Sequence, residues 1–233
     1  MLTLLLSSLF LQPAPTAPIK VDVDAREVTR SIFHVTERIP HGAGPVKLFY
    51  PKWIPGEHMP SGPINSVIKM RVTSGGNLVP WKRDLLNMFE IDAVLPAGAT
   101  EVTVEFDDTV ALPTLFGEIG SANLCRVKWN RLLWFPGPVP SDSLQIAASI
   151  TLPQGWTMAT ALDVQKKEGD TLVFKPVSLT RLVDSPGEIG RYFRSFDVTG
   201  ASSVRHTLDV MADSPSLITR NFSLVEPTST SRG

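Results

Sequence analysis

Histidine, the side chain most often used for zinc binding and proton transfer, occurs four times in the chain. The positions are His34, His41, His58 and His206. A helical zinc site with its own general base needs the pattern H-E-x-x-H, which is missing from this sequence. His34 and His41 would face opposite sides of a continuous strand, because an odd number of positions separates them. The sequence therefore predicts neither a catalytic residue nor a metal site in this chain.

Serine and cysteine chemistry also lacks its usual signatures. There is no G-x-S-x-G elbow, and Asp184 beside Ser185 is typical of a turn that ends a strand. Cys125 is the single cysteine, so it has no partner for an intramolecular disulfide and cannot build a thiolate metal site. We predict that Cys125 is a small buried side chain in a strand.

A proline-rich segment, YPKWIPGEHMPSGP at positions 50–63, is the first place that could present side chains rigidly. It directly follows an apolar strand, and its prolines restrict the backbone around Trp53, Glu57 and His58. Two interpretations are open. The segment is either a stiff corner whose tryptophan caps the core, or a surface at an interface or cleft.

A second conspicuous segment, RVKWNRLLWFPGP at positions 126–138, interleaves aromatic and cationic residues. Such a pattern can stack on sugar rings or nucleobases. Val127 and Trp129 alternate with Arg126 and Lys128, however, which favours a buried strand with its cations facing water.

Alternation with a period of two dominates the rest of the chain and indicates the strands that must position these segments. Ile19, Val21 and Val23 are a clear case. A longer apolar face is formed by Leu144, Ile146, Ala148, Ile150 and Leu152, and Val204, His206, Leu208 and Val210 repeat the pattern, which predicts a core histidine at 206. Turn signals separate the strands, without convincing helices between them. We predict an all-β fold, a large antiparallel β-sandwich or saddle-shaped sheet.

The amino-acid composition limits the classes of protein to which the chain can belong. Hydrophobic residues make up 42% of the 233 residues, enough for a packed core, and the formal net charge is -1 with no basic block. A nucleic-acid partner is therefore not expected. The apolar residues 1–11 are too short for a stable membrane span and predict a signal peptide over 1–17, hence a periplasmic or secreted protein. We assign 18–213 to the β-domain and 214–233 to a linker or the truncated start of a missing catalytic domain.

The same segments carry a family resemblance. YPKWIPGEHMPSGPI, then GGNLVPWKRDLLNMFEIDAVLPAGATEVTVEFD, VKWNRLLWFPGP and FKPVSLTRLVDSPGEIGRYFRSFDV, resemble in this order the N-terminal domain of the glycyl aminopeptidase family of gluzincin zinc metallopeptidases. The resemblance covers roughly positions 19–215. It implies a β-domain packed against a catalytic domain that supplies the zinc ligands and the general base, so zinc is expected only in that domain, which is missing here.

Three functions follow as hypotheses. By resemblance, the chain is the non-catalytic domain that shapes one wall of a peptide-binding cleft, inactive alone, with Trp53, Glu57 and His58 at the cleft rim or domain interface and the catalytic domain and a peptide substrate as partners. The alternative is a free-standing periplasmic binding module for a carbohydrate or protein, using Trp53, Trp81 or Trp129 as a platform. The third is an interaction protein with an exposed apolar face.

Overall fold

The computed structural model describes residues 17–110 and 120–218. In chain order the strands are β1 (Ile19–Asp24), β2 (Ile32–Pro40), β3 (Gly44–Phe49), β4 (Val67–Ser74), β5 (Asn77–Leu78), β6 (Trp81–Arg83), β7 (Glu90–Leu95), β8 (Glu101–Thr109), β9 (Leu124–Val127), β10 (Phe135–Pro136), β11 (Gln145–Thr151), β12 (Thr157–Thr160), β13 (Val164–Glu168), β14 (Thr171–Phe174), β15 (Val177–Ser178), β16 (Gly187–Gly190), β17 (Tyr192–Asp197) and β18 (Thr207–Ala212). The α-helices are α1 (Leu179–Val183) and α2 (Pro215–Ile218), and 3-10 helices span Val28–Arg30, Ile64–Ser66, Trp129–Arg131 and Ser141–Ser143. These few short helices confirm the prediction of an all-β fold, and none of the described helices is long and apolar enough to cross a membrane.

The largest sheet has nine strands, in the spatial order β13-β14-β11-β1-β2-β8-β4-β5, with β15 also paired to β11. Its centre follows directly from the sequence, because the alternating side chains of Ile19, Val21 and Val23 are buried. The sheet is not wholly antiparallel, since β1 and β11 run parallel in the register Ile19 to Ile146. Alternation predicts which face is buried but does not reveal strand direction.

A second sheet of four strands, in the order β10-β3-β7-β6, packs against the same core. Val46 and Leu48 of β3 and Ile91 of β7 belong to one continuous cluster with the inward side chains of β1 and β2. A three-stranded sheet, β12-β16-β9, completes the core and buries Cys125, as predicted. The two apolar layers therefore enclose one interior, and the connections at their edges carry the exposed loops.

The ribbon formed by β17 and β18 corrects one prediction. His206 precedes β18, its side chain is exposed, and its Nε2 lies 3.3 Å from the Ser202 hydroxyl, so it is not a core histidine. Leu208 is also exposed, at 40%, because this two-stranded ribbon presents that face to solvent. The alternating pattern is present in the sequence, but in the described part of the chain no second layer of structure buries this face of the ribbon.

The ends of the chain fall largely beyond the described residues. The predicted signal peptide over 1–17 lies outside them except for Ala17, and so do positions 219–233 of the predicted linker. Within the remaining part of that linker, α2 packs against β17 and β18 and buries Ile218.

Candidate functional site

The proline-rich loop at positions 50–63 is pinned at its base. Tyr50 is buried, and its hydroxyl donates a 3.2 Å hydrogen bond to the carbonyl of Arg131. The N–H of Gly62 donates to the carbonyl of Lys52 at 3.1 Å, which closes the loop. A Cβ at Gly62 would lie 2.0 Å from the Pro51 carbonyl oxygen, so this close approach requires glycine. The loop is therefore held at its two ends while its middle faces solvent.

The three residues singled out in this loop have different environments. Trp53 is 65% exposed and lines a cleft beside the loop. Glu57 accepts a hydrogen bond from the Ser61 hydroxyl, and its Oε1 lies 3.6 Å from Nζ of Lys128. His58 is exposed and has a positive φ of 51°. Glu57 and His58 share the loop with Trp53 but do not line the cleft.

The cleft has a volume of about 620 Å³ and is mostly apolar. It lies where the loop meets β10, the 3-10 helix Ser141–Ser143, and α1. Its lining residues are aromatic, proline and aliphatic side chains with a few polar ones: Phe49, Tyr50, Pro51, Lys52, Trp53, Pro55, Asn87, Phe89, Phe135, Pro138, Val139, Pro140, Ser141, Leu179, Thr180 and Val183. This volume is within the range of small-ligand sites, which are typically apolar with a few placed polar groups.

The turn between β6 and β7 reaches the cleft at Asn87 and carries two exposed leucines. Leu85 and Leu86 are 98% and 99% exposed, and the following Asn87 lines the cleft. The turn is nevertheless well held, because Oδ1 of Asp84 accepts the N–H groups of Leu86 and Asn87, both at 2.8 Å. These two hydrogen bonds hold the pKa of Asp84 below its ordinary value, and the bond from Leu86 has the larger effect. We call residues 84–88 the leucine turn.

The second segment, at positions 126–138, is structural rather than exposed. Trp129 and Trp134 are fully buried, as favoured by the sequence, although Trp129 lies in a 3-10 helix and not in a strand. Arg131 enters the core with it, and its Nε donates to Oδ2 of the fully buried Asp108 at 2.9 Å. Trp129 therefore cannot contribute to a sugar-binding platform.

Sequence reasoning missed two acids that are completely buried. Asp108 pairs with Arg131 and also accepts a 2.6 Å hydrogen bond from the Ser66 hydroxyl. Glu37 lies on the inner face of β2 with its side chain wholly enclosed, and burial raises its pKa well above the ordinary value. The sequence does indicate that Glu37 is buried, because it alternates in the strand with the same period as Val35 and Ile39, which face the core.

The described histidines do not converge on a metal site. On β2, Nδ1 of His34 lies 2.6 Å from Oδ1 of Asp107. Burial acts to raise the pKa of Asp107, but the hydrogen bonds with Lys69 and then His34, together with the charges of both groups, hold it below its ordinary value. The group of potential ligands found in the described residues is Asp84, Glu90 and Asp92, all carboxylates. Zinc sites in proteins favour histidine and cysteine, so this group does not fit zinc.

A lysine already pairs with two of the three carboxylates in that acidic group. Nζ of Lys47 lies 2.5 Å from Glu90 and 3.0 Å from Asp92. The hydrogen bonds to these carboxylates raise the pKa of Lys47, and the bond to Glu90 has the larger effect. The group is thus explained as an ion-pair network on the surface of the second sheet.

Comparisons with known structures define the class of fold. The chain is similar to an aminopeptidase N family protein from Idiomarina loihiensis, with a TM-score of 0.70 and 17% identity over 82% of this chain. It is also similar to a variant of a two-domain M1 zinc metallopeptidase bound to L-tryptophan, with a TM-score of 0.50 and 15% identity over 92% of this chain. The fold is thus that of a β-domain found in zinc aminopeptidases.

The family follows from the sequence itself. The Peptidase M61 N-terminal domain matches residues 20–191, and the chain belongs to this family. No curated protein matches the chain in sequence. The chain spans 32% of the length of the Idiomarina protein and 52% of the other peptidase.

Proposed function

We propose that this chain is the non-catalytic N-terminal β-domain of a zinc metallo-aminopeptidase-like protein, and that it shapes one wall of the peptide-binding cleft of a catalytic domain. Family membership and the greater length of both similar peptidases support this function. The observation that carries the proposal is the leucine turn beside the apolar cleft, with Leu85 and Leu86 almost completely exposed.

The leucine turn has the physical properties of a docking element. Burying one leucine side chain contributes about 1.5–3 kcal/mol, so two exposed leucines favour a partner surface. The hydrogen bonds to Asp84 already hold the backbone, which lowers the entropy lost on docking. Met88, which is more than half exposed, enlarges the apolar surface of the turn. We assign this surface to contact with the catalytic domain.

Zinc chemistry belongs, in this proposal, to the catalytic domain. The three carboxylates of Asp84, Glu90 and Asp92 do not suit zinc, and Lys47 already pairs with two of them. Zinc, when bound in such an enzyme, polarises the scissile carbonyl and activates a water molecule. The residues described here contribute the apolar wall and the loop that carries Trp53, Glu57 and His58 at its rim.

We also propose that the protein is exported. The apolar residues 1–11 support a signal peptide. A fusion of residues 1–30 to a reporter that is active only outside the cytoplasm tests this. Reporter activity that is lost when Leu4, Leu5 and Leu6 are replaced by aspartate supports export, and an inactive wild-type fusion contradicts it.

The gene gives the first test of the main proposal. We expect the nucleotide sequence beyond the Gly233 codon to encode a zinc peptidase sequence with H-E-x-x-H in one of the three forward frames. A stop codon followed by an unrelated gene would contradict the proposal.

Hydrogen–deuterium exchange then locates the interface, on the chain alone and on the continuous product. We expect protection of residues 81–90 and 50–63 in the longer protein, with Val164, an exposed residue on β13, as the unaffected reference region. Equal exchange in both proteins at residues 81–90 would exclude the leucine turn as the docking element.

A free-standing binding module is a second candidate, because Trp53 is exposed at the edge of a cleft. Trp129 is enclosed, and Trp81 is half-buried, which leaves Trp53 as the exposed member of the suggested platform. Binding of soluble oligosaccharides that fails in a Trp53→Ala variant would favour this candidate.

A further inference from the structure

The apolar cleft contains one charged group among its described lining residues, Lys52. Its Nζ lies 5.6 Å from the ring centroid of Phe89, another lining residue, so the ammonium group is held at the cleft wall. The described residues supply no ion pair to Lys52, in contrast to Lys47, which contacts two carboxylates. A ligand with a carboxylate would complement this charge.

The other polar groups of the cleft suit a peptide backbone. The hydroxyls of Ser141 and Thr180 lie 2.8 Å apart and belong to two different elements, a 3-10 helix and α1. Each hydroxyl can still accept or donate another hydrogen bond. A fatty acid has a carboxylate and an apolar tail but no amides for this pair, whereas a short apolar peptide has all three groups.

From this arrangement we infer that the cleft binds the C-terminal end of a short apolar peptide, with the terminal carboxylate at Lys52. The aromatic rings of Phe49, Trp53 and Phe135 pack against its side chains, and the hydroxyl pair contacts its amides. The inference rests on the proposed function only for the choice of a peptide as ligand. Binding by this chain alone needs no catalytic domain, so either idea can fail separately.

The test is calorimetric titration of the 233-residue protein with acetyl-Leu-Pro-Phe as the free acid and as the C-terminal amide. We expect the acid to bind about tenfold more tightly than the amide, because a charge-assisted hydrogen bond is lost in the amide. Lys52→Gln is expected to reduce the affinity for the acid to that for the amide. Lys82→Gln, an exposed cation outside the cleft lining, is the matched control and is expected to leave both affinities unchanged.

Trp53 supplies a second readout. Trp129, Trp134 and Trp156 are buried, so acrylamide quenching reports mainly on Trp53 and the half-buried Trp81. Peptide binding is expected to reduce quenching in the wild type but not in Trp53→Phe. Equal affinity for acid and amide, unchanged binding in Lys52→Gln, or the absence of binding at millimolar peptide would each overturn the inference. Tighter binding of decanoate than of the peptide acid would assign the site to fatty acids and overturn it too.

Discussion

The backbone N–H of Trp134 donates a 2.8 Å hydrogen bond to Oε2 of Glu37, so an acid in the middle of β2 holds the segment that leads into β10. The Glu37 side chain is 0% exposed, and its Oε1 has no hydrogen-bond partner among the described residues. A carboxyl group in this position is favoured in its neutral form, which both raises its pKa and allows it to remain in the core.

Stability should therefore depend on the ionisation of Glu37. Because its folded pKa is raised, the folded state holds a proton that the unfolded state releases above its ordinary pKa near 4.5. The free energy of unfolding should fall as pH rises from that value to the folded pKa. Glu37→Gln keeps an acceptor for Trp134 and cannot ionise. We expect it to be about 1 kcal/mol or more stable than wild type at pH 8 and no more stable at pH 4.

Urea denaturation at several pH values measures this effect. Glu105→Gln on the outward face of β8 is the control, and its pH profile should follow the wild type. A wild-type stability that is flat between pH 5 and 8 would contradict the role of Glu37.

The ion pair of Arg131 and Asp108 gives a second prediction. Both side chains are buried, so removal of one partner leaves an uncompensated charge in the core. Arg131→Met is expected to lower the free energy of unfolding by about 3–5 kcal/mol. The double variant Arg131→Met/Asp108→Leu should lose less than Arg131→Met alone. Lys175→Met breaks an exposed pair with Asp163 and should change stability by about 1 kcal/mol or less. A double variant less stable than Arg131→Met would contradict this account.

The loop base gives a third prediction. Gly62→Ala places a methyl group against the Pro51 carbonyl, a backbone atom that cannot rotate away. We expect a loss of about 1–3 kcal/mol in chemical denaturation and altered acrylamide quenching of Trp53. Gly42→Ala is the matched control, because a Cβ there meets nothing within 4 Å. Equal stability of the two variants would show that the loop base adapts at little cost.

The leucine turn gives a fourth prediction, independent of any partner. Leu85→Asp/Leu86→Asp replaces side chains that contribute almost nothing to the core, so the melting temperature should stay close to that of the wild type. The variant should bind less of a hydrophobic dye and show less self-association in analytical ultracentrifugation at high concentration. Val164→Asp on β13 is the control for the loss of one exposed apolar side chain. A large loss of melting temperature in the turn variant would mean that these leucines pack in the fold.

Several elements could be predicted from sequence because a period of two is a direct consequence of strand geometry. Ile19, Val21 and Val23 are buried as their pattern indicates, and Cys125 lies in a buried strand. The same pattern misled at His206, since it cannot tell whether another layer covers the apolar face. Trp129 is buried as predicted, but it lies in a 3-10 turn whose Arg131 binds the distant Asp108, and an alternation of apolar residues reveals neither feature.

The candidate site was less accessible to prediction. The sequence drew attention to the loop of Trp53, Glu57 and His58, and their place at a cleft rim or domain interface stays a prediction. The cleft itself is assembled from segments far apart in the chain, including Phe89 and Leu179, and only the fold brings them together. The exposure of Leu85 depends on the turn made by Asp84, which a pattern of apolar residues cannot reveal.

The parallel pairing of β1 with β11 has a consequence for synthesis on the ribosome. Asp22 accepts a hydrogen bond from Ser149, which lies 127 positions later in the chain. Synthesis of the intervening residues takes roughly 6–25 s at ordinary rates of translation. During that interval, one edge of β1 is open while β2 can already pair with the other. Lys20, Asp22 and Asp24 lie on its outward face and oppose pairing with a neighbouring nascent chain. The charges on β1 thus protect the unfinished protein as well as solvating the finished one.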